Sequence, residues 1–82
     1  MRLPRDLNGR ELSRLLGRFG YQVVRQEGSH IRLTSNYKGY AHHITIPDHH
    51  ELKIGTLRKI PGRVATYLES DPAALSKELF HM

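Results

Sequence analysis

The chain contains no cysteine, which excludes disulfides and thiolate-based zinc sites. Long apolar runs are missing as well. The longest, Ala73 to Leu75, is three residues, where a membrane-spanning helix needs about 20. Behind Arg2 and Arg5 there is no apolar stretch of the kind that marks an export signal, so a cytoplasmic location is expected. Acidic side chains are scarce: eight against thirteen Lys and Arg, for a formal charge of +5. No repeat or low-complexity segment is visible. Hydrophobic residues make up 38% of the 82, enough for one packed core but not for two. One domain over residues 1–82 is expected.

What is present is basic, and unevenly so. Residues 1–63 carry twelve Lys/Arg and five acids, and residues 64–82 carry one Lys and three acids. A body of +7 with a tail of −2 points to a polyanionic partner, nucleic acid first. A merely solvated basic surface would have the same composition.

The pattern predicts its elements in turn. Leu12, Leu15, Leu16 and Phe19 recur at helical spacing, Asn8 and Glu11 have the spacing of a capping box, and Gly20 suits a helix stop, so a helix is expected over about residues 8–19. Three strand-like runs follow: Tyr21–Gln26, His30–Thr34 and Ala41–Pro47, with short turns at Glu27-Gly28-Ser29 and Ser35–Gly39. Loops this short favour an antiparallel meander. A second helix is expected from about Gly55-Thr56, with Ile54, Leu57, Ile60, Val64 and Leu68 as its apolar stripe. Pro61-Gly62 interrupts it, and a kink or break is expected there. Asp71 and Pro72 suit the start of a short last helix over about 71–81, docked by Leu75, Leu79 and Phe80. The expected fold class is therefore α+β: an α-β-β-β-α core over about residues 8–68, a three-stranded antiparallel sheet with helices on one face, and a C-terminal helix. The uncovered sheet face would carry His30, Arg32, His43 and Thr45.

Three groups on this frame could carry chemistry. His30 opens a strand after Gly28-Ser29 and is flanked by Arg25 and Arg32. An imidazole titrating near neutrality beside a bound phosphodiester could move a proton to or from a ribose oxygen; equally, it could be an ordinary polar residue on an open face. His42-His43 and His49-His50 invite a metal reading. Adjacent strand residues point to opposite faces, however, and the spacing is not that of a metal site, so no metal and no cofactor is expected. His43 remains as a possible second proton-transfer group, and Asp48-His49-His50-Glu51 reads as a polar loop. Lys53, Gly55, Thr56, Arg58 and Lys59 surround a helix N-terminus that could receive a phosphate; a solvated basic helix face is the alternative.

The ordered set Leu12–Leu15–Leu16, Gly20-Tyr21, Val24-Arg25-Gln26-Glu27-Gly28-Ser29-His30, Ile44-Thr45-Ile46-Pro47-Asp48-His49 and Leu52-Lys53-Ile54-Gly55-Thr56-Leu57 resembles the HicA, or YcfA-like, family of toxin–antitoxin systems. The resemblance spans about residues 8–68. It implies a fold like that of double-stranded-RNA-binding domains and a ribosome-independent endonuclease acting on mRNA. The family's catalytic histidine would be His30, and a HicB-like antitoxin would cover the catalytic face. Arg25, Gly28, Ser29, Arg32, Lys38, Lys53, Thr56, Arg58 and Lys59 are the expected RNA contacts. Pro61-Gly62 departs from the uninterrupted helix usual in that family, and Met1 to Leu7 have no clear counterpart. Read from the residues alone, a non-catalytic RNA-binding module and a domain that binds an acidic protein stay open beside the nuclease.

Overall fold

A computed structural model describes residues 7–50 and 52–80. The element order is α1 (Gly9–Leu16), β1 (Tyr21–Glu27), β2 (His30–Ser35), β3 (His42–Pro47), α2 (Ile54–Leu68) and α3 (Pro72–Leu79), and the antiparallel sheet has the order β1-β2-β3. This is the α+β meander expected. Among the described residues, no helix is long and apolar enough to cross a membrane.

The capping box at α1 closes in both directions. Glu11 N donates to Asn8 Oδ1 at 2.8 Å, and Asn8 N donates to Glu11 Oε1 at 3.1 Å. The helix tightens into a 3₁₀ turn over Gly17–Phe19 and stops at Gly20, whose φ of 90° is open to glycine. At its other end Gly9 lies so close to β3 that a Cβ there would overlap the carbonyl oxygen of Pro47.

Alternation along β2 and β3 sends Ile31, Leu33, Ile44 and Ile46 into the core, where Leu12 and Leu16 of α1 and Leu57 and Val64 of α2 cover them. Helix α2 begins at Ile54 with Lys53 as its cap residue, close to the expected start, and departs from the reading at Ile54 and in having no break at Pro61. Ile54 itself, assigned to the apolar stripe, is exposed. The helix also runs through Pro61 and Gly62 without a break. Proline removes only one donor from the ladder, and Pro61 is buried, so its ring gains apolar contact that offsets the lost bond. Helix α3 forms as read: Asp71 Oδ2 accepts from Ala74 N at 3.1 Å, and Leu75, Leu79 and Phe80 are buried. The expected last residue of that helix, His81, lies outside the described residues, as do Glu51, Arg2 and Arg5.

The end of the sheet where β2 leaves and β3 enters is closed by Tyr67 of α2. Its hydroxyl accepts from Lys38 N at 2.9 Å and donates to the Tyr40 carbonyl at 2.6 Å. The opposite end, where β1 turns into β2, is the open one.

Candidate active site

The turn between β1 and β2 has two residues. Gly28, the first, has φ +55°, and Ser29 stays at negative φ, as a tight hairpin of the II′ kind requires. His30 follows at once as the first residue of β2. Its cross-strand neighbours are Glu27 on β1 and Pro47 on β3, and its side chain is exposed.

One irregularity decides what stands beside it. From Tyr21, which is buried, strict alternation would send Arg25 into the core. Between Val23 and Arg25 the register shifts, so that Val23 faces Leu33 but Arg25 faces Arg32. Val24 is the extra residue of a β-bulge, and it restores Arg25 and Glu27 to the open face. Arg25, Glu27, His30, Arg32 and Thr45 then line one shallow depression of about 220 Å³. Two guanidiniums directly opposite one another repel unless an anion lies between them. In the free protein Arg25 Nε takes Glu27 Oε1 at 2.9 Å, while no salt bridge of Arg32 is found among the described residues. The depression can therefore receive a phosphate beside an imidazole.

The other expected residues go elsewhere. His43 shares the open face, but it pairs with Thr34, four positions along from the Pro47–His30 pair, roughly 13 Å away at the strand rise. Its Nδ1 lies 2.8 Å from Thr34 Oγ1. His42 points to the opposite face. There its Nδ1 and the Tyr21 hydroxyl share a hydrogen bond of 2.7 Å, and its ring stacks on Tyr67 with centroids 4.8 Å apart. Burial first, then Arg63 and His43, push the His42 imidazole below its ordinary value. Burial and Tyr67 raise the Tyr21 hydroxyl to about 12, against a smaller lowering by Arg63, so it stays protonated. His49 and His50 are exposed in the loop after β3. Among the described residues, no group of three or more His, Cys, Asp or Glu side chains could hold a metal ion.

Lys38 sits in the β2–β3 loop, at the far end of the sheet from His30, with its ammonium 2.6 Å from Glu69. Lys53, the cap residue of α2, and Arg58 and Lys59 within that helix are exposed, and none of the three lines the depression at His30. Thr56 is half-buried in the first turn of that helix. The strand residues Arg25, His30 and Arg32 and the turn residues Gly28 and Ser29 come together; the α2 residues and Lys38 do not line the depression.

Glu27 and Gln26 were not singled out from the sequence. Glu27 lines the depression. Gln26 Nε2 donates to Asp48 Oδ2 at 2.8 Å and to the Gly28 carbonyl at 3.3 Å. A bulge is invisible to period-two counting, so the sequence could not say which face residues 25–27 take.

A family model described as the HicA toxin of bacterial toxin–antitoxin matches residues 9–67. No curated protein and no solved structure matches the chain.

Proposed function

Because the chain belongs to the HicA family of bacterial toxin–antitoxin toxins, we propose that it is a ribosome-independent endoribonuclease that cleaves mRNA at the open sheet face and is neutralised by a HicB-like antitoxin covering that face. The observation that carries this reading is the depression in which His30 stands between Glu27 and Pro47, beside the facing pair Arg25 and Arg32. The two guanidiniums suit a phosphodiester, which would draw Arg25 away from Glu27. They would also neutralise the charge that builds on the phosphorus oxygens as the ribose 2′-oxygen attacks.

His30 is the proposed proton-transfer group. As neutral imidazole it takes the 2′-hydroxyl proton, and the departing 5′-oxygen takes a proton from water on the exposed face. The P–O5′ bond breaks as the P–O2′ bond forms, leaving a 2′,3′-cyclic phosphate and a free 5′-hydroxyl. No electron is transferred, and His30 with solvent supplies the proton movements, so cleavage is expected to proceed in EDTA. Gly28 and Ser29 would let the RNA backbone approach the turn. His43, Lys38 and the α2 residues Lys53, Thr56, Arg58 and Lys59 would meet RNA outside the reacting phosphate.

The test is expression of the chain alone, together with cleavage of an RNA oligonucleotide by purified protein in EDTA. Wild type should arrest growth and release the cyclic phosphate. His30→Ala should do neither while accumulating and melting like wild type, since general acid–base help is worth about 10²–10⁴ in rate. A folded His30→Ala protein as toxic as wild type sinks the assignment. RNA binding without cleavage by wild type would favour a binding module of the same fold.

A further inference from the structure

The hairpin tip that carries His30 stands out from the body. Every residue from Gln22 to His30 is exposed, and a Cβ at Gly28 would meet nothing within 4 Å. The tip is nevertheless tied down at one point. Gln26 Nε2 donates to Asp48 Oδ2 (2.8 Å) and to the Gly28 carbonyl (3.3 Å), and Asp48 N donates to the Ser29 carbonyl (2.7 Å). Both carbonyls of the turn are thus held, one by the Gln26 amide and one by the Asp48 backbone, and Gln26 and Asp48 hold each other. Arg10 of α1 adds its guanidinium, 3.6 Å from the same Asp48 oxygen. Hairpin tip, β3–α2 loop and first turn of α1 therefore meet at one carboxylate.

From this geometry we propose that Gln26 and Asp48 are positioning residues: a clamp that fixes the Gly28-Ser29 turn and, one residue later, the His30 imidazole over the reacting phosphate. The proposal rests on the nuclease reading above and deepens it. Neither side chain touches the substrate. An in-line displacement tolerates little error in placement, and a shift of about 1 Å can cost a hundredfold in rate. A two-residue turn at the end of a hairpin frays unless something outside the hairpin holds it. The polarity of the clamp is fixed by charge: the Asp48 carboxylate only accepts, so residue 26 must donate.

That polarity supplies the test. Gln26→Glu sets two carboxylates against each other at hydrogen-bond distance. We expect kcat on an RNA oligonucleotide to fall by about ten- to a hundredfold. KM should stay within threefold, because Arg25 and Arg32 are untouched. Adding Asp48→Asn reverses the donor and acceptor, since the new amide donates to Glu at position 26, and should recover part of kcat but not all of it, because the Gly28 carbonyl still lacks its donor. Asp48→Asn alone keeps an acceptor oxygen for Gln26 and should lose two- to threefold. Taken as a ratio to wild type at each pH, the Gln26→Glu defect should shrink on acidification, because a protonated carboxyl can donate to Asp48. The second readout is the ¹H–¹⁵N imidazole signal of His30, expected to broaden in Gln26→Glu and to sharpen again in the double variant.

Wild-type kcat in Gln26→Glu overturns the clamp. So does a loss of kcat that Asp48→Asn fails to rescue. Should the wild type not cleave RNA at all, the nuclease reading falls, and the His30 imidazole signal alone decides the clamp: broadening without rescue, or no broadening, refutes it.

Discussion

Gly9→Ala and Gly62→Ala are the same chemical change in two helices, and the structure gives them opposite signs. At Gly62, in the interior of α2, a Cβ meets nothing within 4 Å. Alanine there gains the helix propensity that glycine lacks, about 1 kcal/mol. At Gly9, the first residue of α1, a Cβ would overlap the Pro47 carbonyl oxygen and lie 3.1 Å from Asp48 Cα. Both obstacles are backbone, so no rotamer change relieves them. The helix start must move off β3, which strains the bond from Gly9 N to the His49 carbonyl at 3.1 Å. Overpacking of this kind costs about 1–3 kcal/mol, more than the small propensity gain at a first helical position. For a domain of this size each kcal/mol moves Tm by about 4–8 °C. Gly62→Ala should therefore raise Tm by roughly that amount and Gly9→Ala should lower it by about 4–24 °C, both read by circular dichroism on reversible melts. Because Pro47 lies across from His30, Gly9→Ala should also weaken growth arrest below the melting range. If the two alanines shift Tm in the same direction, the close approach of α1 to β3 is wrong.

Two further outcomes follow from the charge arrangement. Stability should depend on pH through His42. Its folded-state value lies below the ordinary imidazole value, so the folded protein binds fewer protons than the unfolded one between the two. That contribution is complete above the ordinary imidazole range, and it is lost as pH falls through that range toward the folded-state value. Urea midpoints at pH 8 and pH 5 should differ less in His42→Phe, which keeps the stack on Tyr67 but has no titrating ring. An equal pH dependence in the two proteins contradicts the assignment. Single-stranded RNA binding should lose salt dependence where the phosphate contacts are: Arg25→Gln with Arg32→Gln should flatten the log–log slope by about 1.4, at roughly 0.7 per contact. Neutralising Lys53, Arg58 and Lys59 should flatten it less, and a larger effect of that triple variant would move the RNA to α2.

The parts of this fold legible in the sequence are those with a period or a punctuation mark. Leu12, Leu15, Leu16 and Phe19 mark the first helix, Ile31 and Leu33 against Arg32 mark the second strand, and Asn8, Gly20 and Asp71 mark boundaries; all hold in the structure. What failed depended on packing across the chain. Proline at 61 reads as a kink or break, and the helix nonetheless continues through it with the ring buried. Ile54 reads as core until the helix phase is fixed by Leu57, Ile60 and Val64. His43 and His30 share a face, as alternation says, yet register separates them, and register depends on the turn at 28–29 and the loop at 36–41 rather than on either strand. The bulge at Val24 has no local signature, so Arg25 beside Arg32 follows only from pairing.

The two ends of the sheet differ in how they are held, and the difference bears on where chemistry can occur. At the β2–β3 loop, Tyr67 takes the backbone N–H of Lys38 and gives its proton to Tyr40, while His42 lies between Tyr67 and Tyr21. Aromatic area and satisfied hydrogen bonds concentrate there, and local opening should be most costly at that end. The Gly28-Ser29 end has exposed strand residues, a bulge and a turn held by the Asp48 contacts. A site that must admit a long polyanion needs an unobstructed face, and it can stay unobstructed only if the fold's stability comes from elsewhere. The rigid aromatic end meets that need, which leaves placement of His30 to a few hydrogen bonds instead of a packed core. On the proposed function, an antitoxin covering this face would meet exposed cations and a hairpin tied down at Asp48, and inhibition by occlusion alone would require no refolding of the toxin.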